Sequence, residues 1–162
     1  MHAQPQQEHQ WLQKLVGEWR FDGEAPCAPG EAPQKFGGRE SVKSLGGLWT
    51  VGEGFGDPEK DQPSMMSIMS LGYDPVRKTF VGSFIASVMT HLWIYERGEL
   101  NAEKTTLTLE AEGPNFSGDG TMTKYQDIIE FVSDDHRILR SQFRKPDGSW
   151  QHFMTAHYHR TR

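Results

Sequence analysis

The sequence predicts an all-β chain: a single antiparallel, up-and-down β-barrel of about ten strands behind a short N-terminal helix. From Glu18 onward, apolar residues recur with a period of two, the mark of strands with one buried face. Clusters of Gly, Pro and Asp interrupt that pattern at short intervals and leave room mainly for hairpin connections. A meander of that many strands hides its edges by closing on itself, and eight strands already enclose space for a small ligand. At 162 residues the chain is expected to be one domain, 1–162, with a substantial core.

The helix is expected over Gln6 to Val16, where Trp11, Leu12, Leu15 and Val16 form one apolar stripe before Gly17 ends it. Strands are expected at Glu18–Glu24, Arg39–Leu45, Leu48–Phe55, Met65–Asp74, Lys78–Ser87, His91–Glu96, Thr105–Glu112, Met122–Ser133, Arg137–Arg144 and Trp150–Arg160. Gly46-Gly47, Gly56-Asp57-Pro58, Gly113-Pro114-Asn115 and Lys145-Pro146-Asp147-Gly148-Ser149 separate them. In the last of these, Pro presets the first turn position and Gly takes the left-handed one. The Pro- and Gly-rich stretch Ala25–Gly38 is expected to drape over one end of the barrel.

Composition narrows the function. The hydrophobic fraction of 35% and charged fraction of 24% are those of a soluble globular protein. The net charge of −5 comes from interspersed residues of both signs, so neither nucleic acid nor an anionic membrane is an expected partner. Cys27 is the sole cysteine, which rules out an intrachain disulfide or a cysteine-based zinc site within one chain. It lies in a loop without a basic neighbour, so it reads as a bystander rather than a nucleophile. The segment Met1–Gln7 has neither the positive charge nor the apolar core of a secretory signal, and a cytoplasmic location is expected.

Taking the more apolar set of each strand as its inner face gives a candidate lumen. Trp19 and Phe21 point inward, as do Trp49, Val51, Glu53 and Phe55, then Phe80, Gly82, Phe84 and Ala86. Leu107, Leu109 and Ala111 follow, with Tyr125, Asp127, Ile129 and Phe131, and finally Trp150, His152, Met154, Ala156 and Tyr158. Glu40, Val42 and Ser44 form the less charged set of their strand, whereas the face of His91–Glu96, with Trp93, is undecided. The assignment puts Glu40, Glu53, Asp127 and His152 on apolar faces, where a charge needs a partner. They can satisfy one another, pair with an arginine such as Arg39, or contact a ligand. The expected ligand-binding set is Glu40, Trp49, Glu53, Phe84, Trp93, Tyr125, Asp127, His152 and Met154.

No catalytic signature is present: no Gly-x-Ser-x-Gly elbow, no phosphate-binding loop and no His-Glu-x-x-His. Gly52-Glu53-Gly54-Phe55-Gly56 lacks the following helix of a dinucleotide fingerprint. His157 and His159 share an outward face, and no metal is expected there without a third ligand. Met65, Met66, Met69 and Met89 read as adaptable packing.

The motifs Trp11-Leu12-x-x-Leu15-Val16-Gly17-Glu18-Trp19, Leu45-Gly46-Gly47-x-Trp49, Leu71-Gly72-Tyr73-Asp74-Pro75, Phe80-Val81-Gly82 and Leu92-Trp93-x-Tyr95-Glu96 run along most of the chain. With Asp147-Gly148-x-Trp150-x-x-Phe153-Met154 and Tyr158-x-Arg160, they resemble a bacterial family known as domain of unknown function 1579. The resemblance implies a calycin- or lipocalin-like barrel but no activity and no site. Gly17-x-Trp19 and Arg160 match the pattern in which, among lipocalins and their relatives, an arginine from the last strand lies across a tryptophan of the first at the closed base. A looser similarity to nitrobindin-like barrels, which hold haem through a histidine of the last strand, makes haem an alternative cofactor; His152, His157 and His159 are its possible ligands, and only His152 is read as facing the lumen. The leading expectation is a non-enzymatic binding barrel for a small organic molecule. The alternatives are the haem barrel, an enzyme with Glu53 or Asp127 as base and His152 as acid, and a structural module that forms a homodimer.

Overall fold

A computed structural model describes residues 2–26 and 30–162; Cys27 lies outside the described residues. Helix α1, Gln7–Gln13, precedes one antiparallel sheet. Its strands are β1 (Gly17–Ala25), β2 (Gln34–Leu45), β3 (Trp49–Gly56), β4 (Met66–Asp74), β5 (Thr79–Ala86), β6 (Trp93–Tyr95), β7 (Arg97–Leu100), β8 (Thr106–Pro114), β9 (Met122–Ser133), β10 (His136–Arg144) and β11 (Trp150–Arg160). They lie in the order β6-β5-β4-β3-β2-β1-β11-β10-β9-β8-β7.

Two junctions turn this sheet into a barrel. The first and last strands pair, with Trp19 opposite Arg160 and Phe21 opposite Tyr158. At the other junction the chain changes partners: β6 pairs with β5, the Glu96 amide donates to the Glu110 carbonyl at 3.2 Å, and β7 continues along β8. The Gly98 amide also donates to Thr79 Oγ1 at 2.9 Å. The strand expected at His91–Glu96 is thus the short β6, and a further short strand, β7, not expected from the sequence, follows it across this junction.

The base is filled. Apolar residues of α1 and its turn (Trp11, Leu12, Leu15) bury against Trp19, Leu71, Phe80 and Phe131. The indole of Trp11 donates to the Lys104 carbonyl at 2.7 Å, and His9 Nε2 lies 3.2 Å from the Tyr73 carbonyl oxygen. Arg160 completes the closure, its guanidinium 4.2 Å from the Trp19 ring centroid. It also donates to the Val16 and Lys14 carbonyls at 2.6 and 2.8 Å, satisfying carbonyls of the C-cap and of the turn that follows the helix. Gly17, with φ of +140°, carries the chain from the helix into β1; a Cβ there would meet Arg160 Nη1 at 2.3 Å.

Three local features depart from the sequence expectation. Strand β2 starts at Gln34, so much of the stretch expected to drape over the end is sheet; Phe36, Gly37 and Gly38 pair with Gly23, Asp22 and Phe21. Gly38 is needed for close packing there, since a Cβ would come within 2.3 Å of the Phe55 carbonyl oxygen. Strand β3 has the opposite parity: Thr50, Gly52 and Gly54 are buried inside, while Trp49 and Glu53 are exposed outside. The outward Trp49 ring is held over Gly72, where any Cβ would clash at 2.3 Å. In β11 the register against β10 shifts between Ser141 and Gln142, skipping Phe153. That bulge reverses the alternation at the start of the strand, so Phe153 turns inward and His152 outward.

Candidate functional site

Above the packed base the barrel holds a cavity of about 360 Å³. It exists because several strands present small residues to it: Gly54, Ser67, Ala86, Ala111 and Ala156 all line its wall. Phe36, Met69, Phe84, Met89, Phe153 and Met154 supply apolar surface between them. At the mouth, Trp93 and Tyr125 meet edge to face at 4.7 Å, and Phe116 packs on Phe153 at 5.0 Å. The Tyr125 hydroxyl donates to the Pro114 carbonyl at 2.5 Å, which leaves the ring as its contribution to the cavity.

The floor is polar and divides into two parts. In one, Glu40 of β2 is paired with Arg137 of β10, their side chains 13% and 4% exposed. The Arg137 guanidinium lies 4.0 Å from the Tyr158 ring centroid and 4.6 Å from that of Trp19. Trp19 is thus in contact with Arg137 and Arg160 together, linking the floor to the base. Arg137 Nε has no protein partner among the described residues. It adjoins a separate space of about 20 Å³ beside Thr50 and Leu71, the size of a single water.

In the other part, Asp127 of β9 accepts from the Ser141 hydroxyl at 2.5 Å and from the Tyr95 hydroxyl. No salt-bridge partner approaches it among the described residues. Burial raises the Asp127 carboxyl above its ordinary value even though both hydroxyl bonds favour the charged form. The Tyr95 hydroxyl is pushed well up, chiefly by burial and then by the Asp127 charge. Burial raises Tyr158 as well, with Glu40 adding to the effect.

Of the expected ligand-binding residues, Glu40, Phe84, Trp93, Tyr125, Asp127 and Met154 line this cavity. Trp49, Glu53 and His152 do not. The first two follow the reversed parity of β3, and the bulge turns His152 away to hydrogen-bond Thr155 Oγ1 at 2.6 Å. The buried partner of Glu40 is Arg137 rather than Arg39, which is exposed and stacks on Phe55 at 4.9 Å. Sequence reasoning missed Arg137, Tyr95 and Ser141. Arg137 and Ser141 share the alternation of Leu139 and Phe143, so choosing an inner face for β10 would have exposed them.

These positions also bear on the alternatives. The described lining contains no histidine, so the cavity does not fit a histidine-held haem. His152 faces outward, away from Asp127 in the cavity, and Glu53 lies outside on β3, which is not a neighbour of β11, so neither expected acid–base pair shares the cavity. His136, His157 and His159 cluster on the outer face, with His136 Nε2 3.0 Å from His157 Nδ1 and the His136 and His159 rings stacked at 4.3 Å. Among the described residues, no group of three or more His, Cys, Asp or Glu is arranged to hold a metal ion. No described helix is long and apolar enough to cross a membrane.

The chain belongs to the protein family of unknown function DUF1579, whose model matches residues 4–160. It is similar to the crystal structure of Rv2717c from M. tuberculosis, with a TM-score of 0.62 at 15% identity, covering 98% of this chain and 100% of that one. A redesigned β-barrel aligns with a TM-score of 0.49 at 11% identity over 99% of this chain and 100% of its own. A de novo designed fluorescence-activating β-barrel aligns with a TM-score of 0.48 at 12% identity over 93% and 96%. At 15% identity the likeness to Rv2717c speaks to the fold alone. A search of curated proteins gave no match.

Proposed function

We propose that this DUF1579 chain binds a small organic molecule inside its barrel. The observation that carries this reading is the hollow above the floor: about 360 Å³ with aromatic and methionine walls, within the ~300–1,000 Å³ range of small-molecule sites. A few convergent polar groups at one end of an apolar space are what orient such a ligand. The small inner residues support the same reading, because larger side chains at Ala86, Ala111 and Ala156 would have filled the space with core.

Native mass spectrometry of protein purified without added ligand, followed by denaturation to identify what is released, tests the idea together with a titration of ten-carbon amphiphiles followed by tryptophan fluorescence. Either a one-to-one adduct or saturable one-to-one binding is expected, and Ala111→Phe should abolish it while the protein still melts cooperatively. A bare mass combined with no saturable response to any amphiphile overturns the reading.

A further inference from the structure

The two buried carboxylates of the floor differ in a way that narrows the ligand. Glu40 has its counter-charge in Arg137, and that guanidinium is further occupied by the faces of Tyr158 and Trp19. Asp127 has hydroxyl donors and no cation among the described residues. An acid in a low-dielectric site without a counter-charge is costly, and hydroxyl donors relieve only part of that cost. Asp127 nevertheless keeps free surface, and that surface opens into the cavity.

What surrounds that free surface suits a cation. Tyr125 lies two residues from Asp127 on the same face of β9, ~7 Å along the strand toward the mouth, and Trp93 packs on its ring. An ammonium group seated at Asp127 would thus have a carboxylate beneath it and aromatic π-surface beside it. The chain's net charge of −5 draws cations toward the protein in general. An anionic ligand meets the opposite conditions, since Arg137 is already neutralised by Glu40 and Asp127 repels it.

We infer that the barrel selects an amine-bearing apolar molecule, its ammonium paired with Asp127 and its hydrocarbon body against Phe84, Met154 and Phe153. This rests on the lumen-binding reading above. It adds a sign of charge and an anchoring residue that the fold does not imply.

The test is a matched series with one tail and three head groups: decylamine, decanol and decanoate, each titrated near neutral pH with tryptophan fluorescence and calorimetry as readouts. Decylamine should bind tighter than decanol by about tenfold or more, the factor a charge-assisted hydrogen bond contributes, and decanoate should bind most weakly. Asp127→Asn should bring decylamine down to the level of decanol and leave decanol unchanged, while Tyr95→Phe should keep the preference for the amine. Equal binding of amine and alcohol by the wild-type protein overturns the inference but preserves the binding barrel. Strongest binding by decanoate also overturns it, and makes Arg137 the anchor. Absence of binding by all three overturns this inference, and together with a bare native mass it removes the lumen reading as well. The comparison within the wild-type protein decides the matter even if Asp127→Asn fails to fold.

Discussion

The base and the mouth of this barrel are made by the same strands, yet only the base is packed. Toward the base, inward positions carry Trp19, Leu71, Phe80, Leu107 and Ile129, and α1 closes over them. Toward the mouth, the inward positions of the same or neighbouring strands carry Gly54, Ser67, Ala86 and Ala111, and aromatic rings stand around the opening. Side-chain size along each strand thus separates a region devoted to stability from one kept free for a ligand. The ionic groups follow the same division: Arg160 pins the base from the outside, whereas Asp127 has no counter-charge among the described residues inside the cavity.

The largest expected effects test the base and the ion pair above it. Trp19→Ala should cost about 3–5 kcal/mol in urea unfolding, as for a fully buried large side chain, because Trp19 is 1% exposed and packs on both Arg137 and Arg160. Trp93→Ala at the mouth should cost less than half as much, since its ring faces open space on one side. Equal losses would mean that the mouth is as important to stability as the base. Arg137→Met should cost about 3–5 kcal/mol by leaving Glu40 buried and unpaired. The double substitution Glu40→Gln with Arg137→Met should recover most of that loss. If the two single effects simply added, the pair would not be the coupled unit its geometry shows.

Much of the barrel was legible in the sequence because alternation and turn residues are local signals. Ten of the eleven strands coincide with expected ones, and β1 meets β11 at the Trp19–Arg160 pair. The site was legible only where alternation holds without interruption. Asp127 and Tyr125 sit on the regular part of β9, and Glu40 on the regular part of β2, so their inward direction followed from parity. The reading failed where a non-local requirement overrode apolarity. The inner face of β3 is its glycine-rich face because the Glu40 carboxylate needs the space, a Cβ at Gly52 lying 3.2 Å from it. One skipped residue in β11 then reversed His152, and a single sequence carries no signal for such a bulge.

Asp127 supplies a smaller, pH-dependent effect. Its folded-state carboxyl titrates above the ordinary value of 3.8, so the fold prefers the protonated form. The stability this gives is complete below that ordinary value and is lost as pH rises through the raised one. Asp127→Asn should be neutral or stabilising near neutral pH and should remove that decline from a plot of unfolding free energy against pH. If the variant instead loses stability near neutral pH, a cation in the wild-type protein is compensating Asp127, and the contrast with Glu40 collapses.

The smallest effect lies on the outer wall and has the opposite sign. Burial lowers the His136 imidazole below its ordinary value of 6.5, with His159 and His157 adding repulsion. A histidine whose folded-state value is depressed favours the neutral form in the fold, so the unfolded chain takes up the proton first. Stability is therefore retained above 6.5 and declines as pH falls from there through the lowered folded-state value. His136→Asn should flatten this acid limb without touching the Asp127 limb, because the two groups lie on opposite faces of the wall. The expected loss is a fraction of that for Trp19→Ala, because the cluster is partly exposed and water screens its mutual repulsion. Measuring thermal unfolding of both single variants and the double variant across pH separates the limbs. If His136→Asn changed the Asp127 limb as well, the outer face and the cavity would be coupled through β10, and the cavity's charge preference would then depend on the histidines behind it.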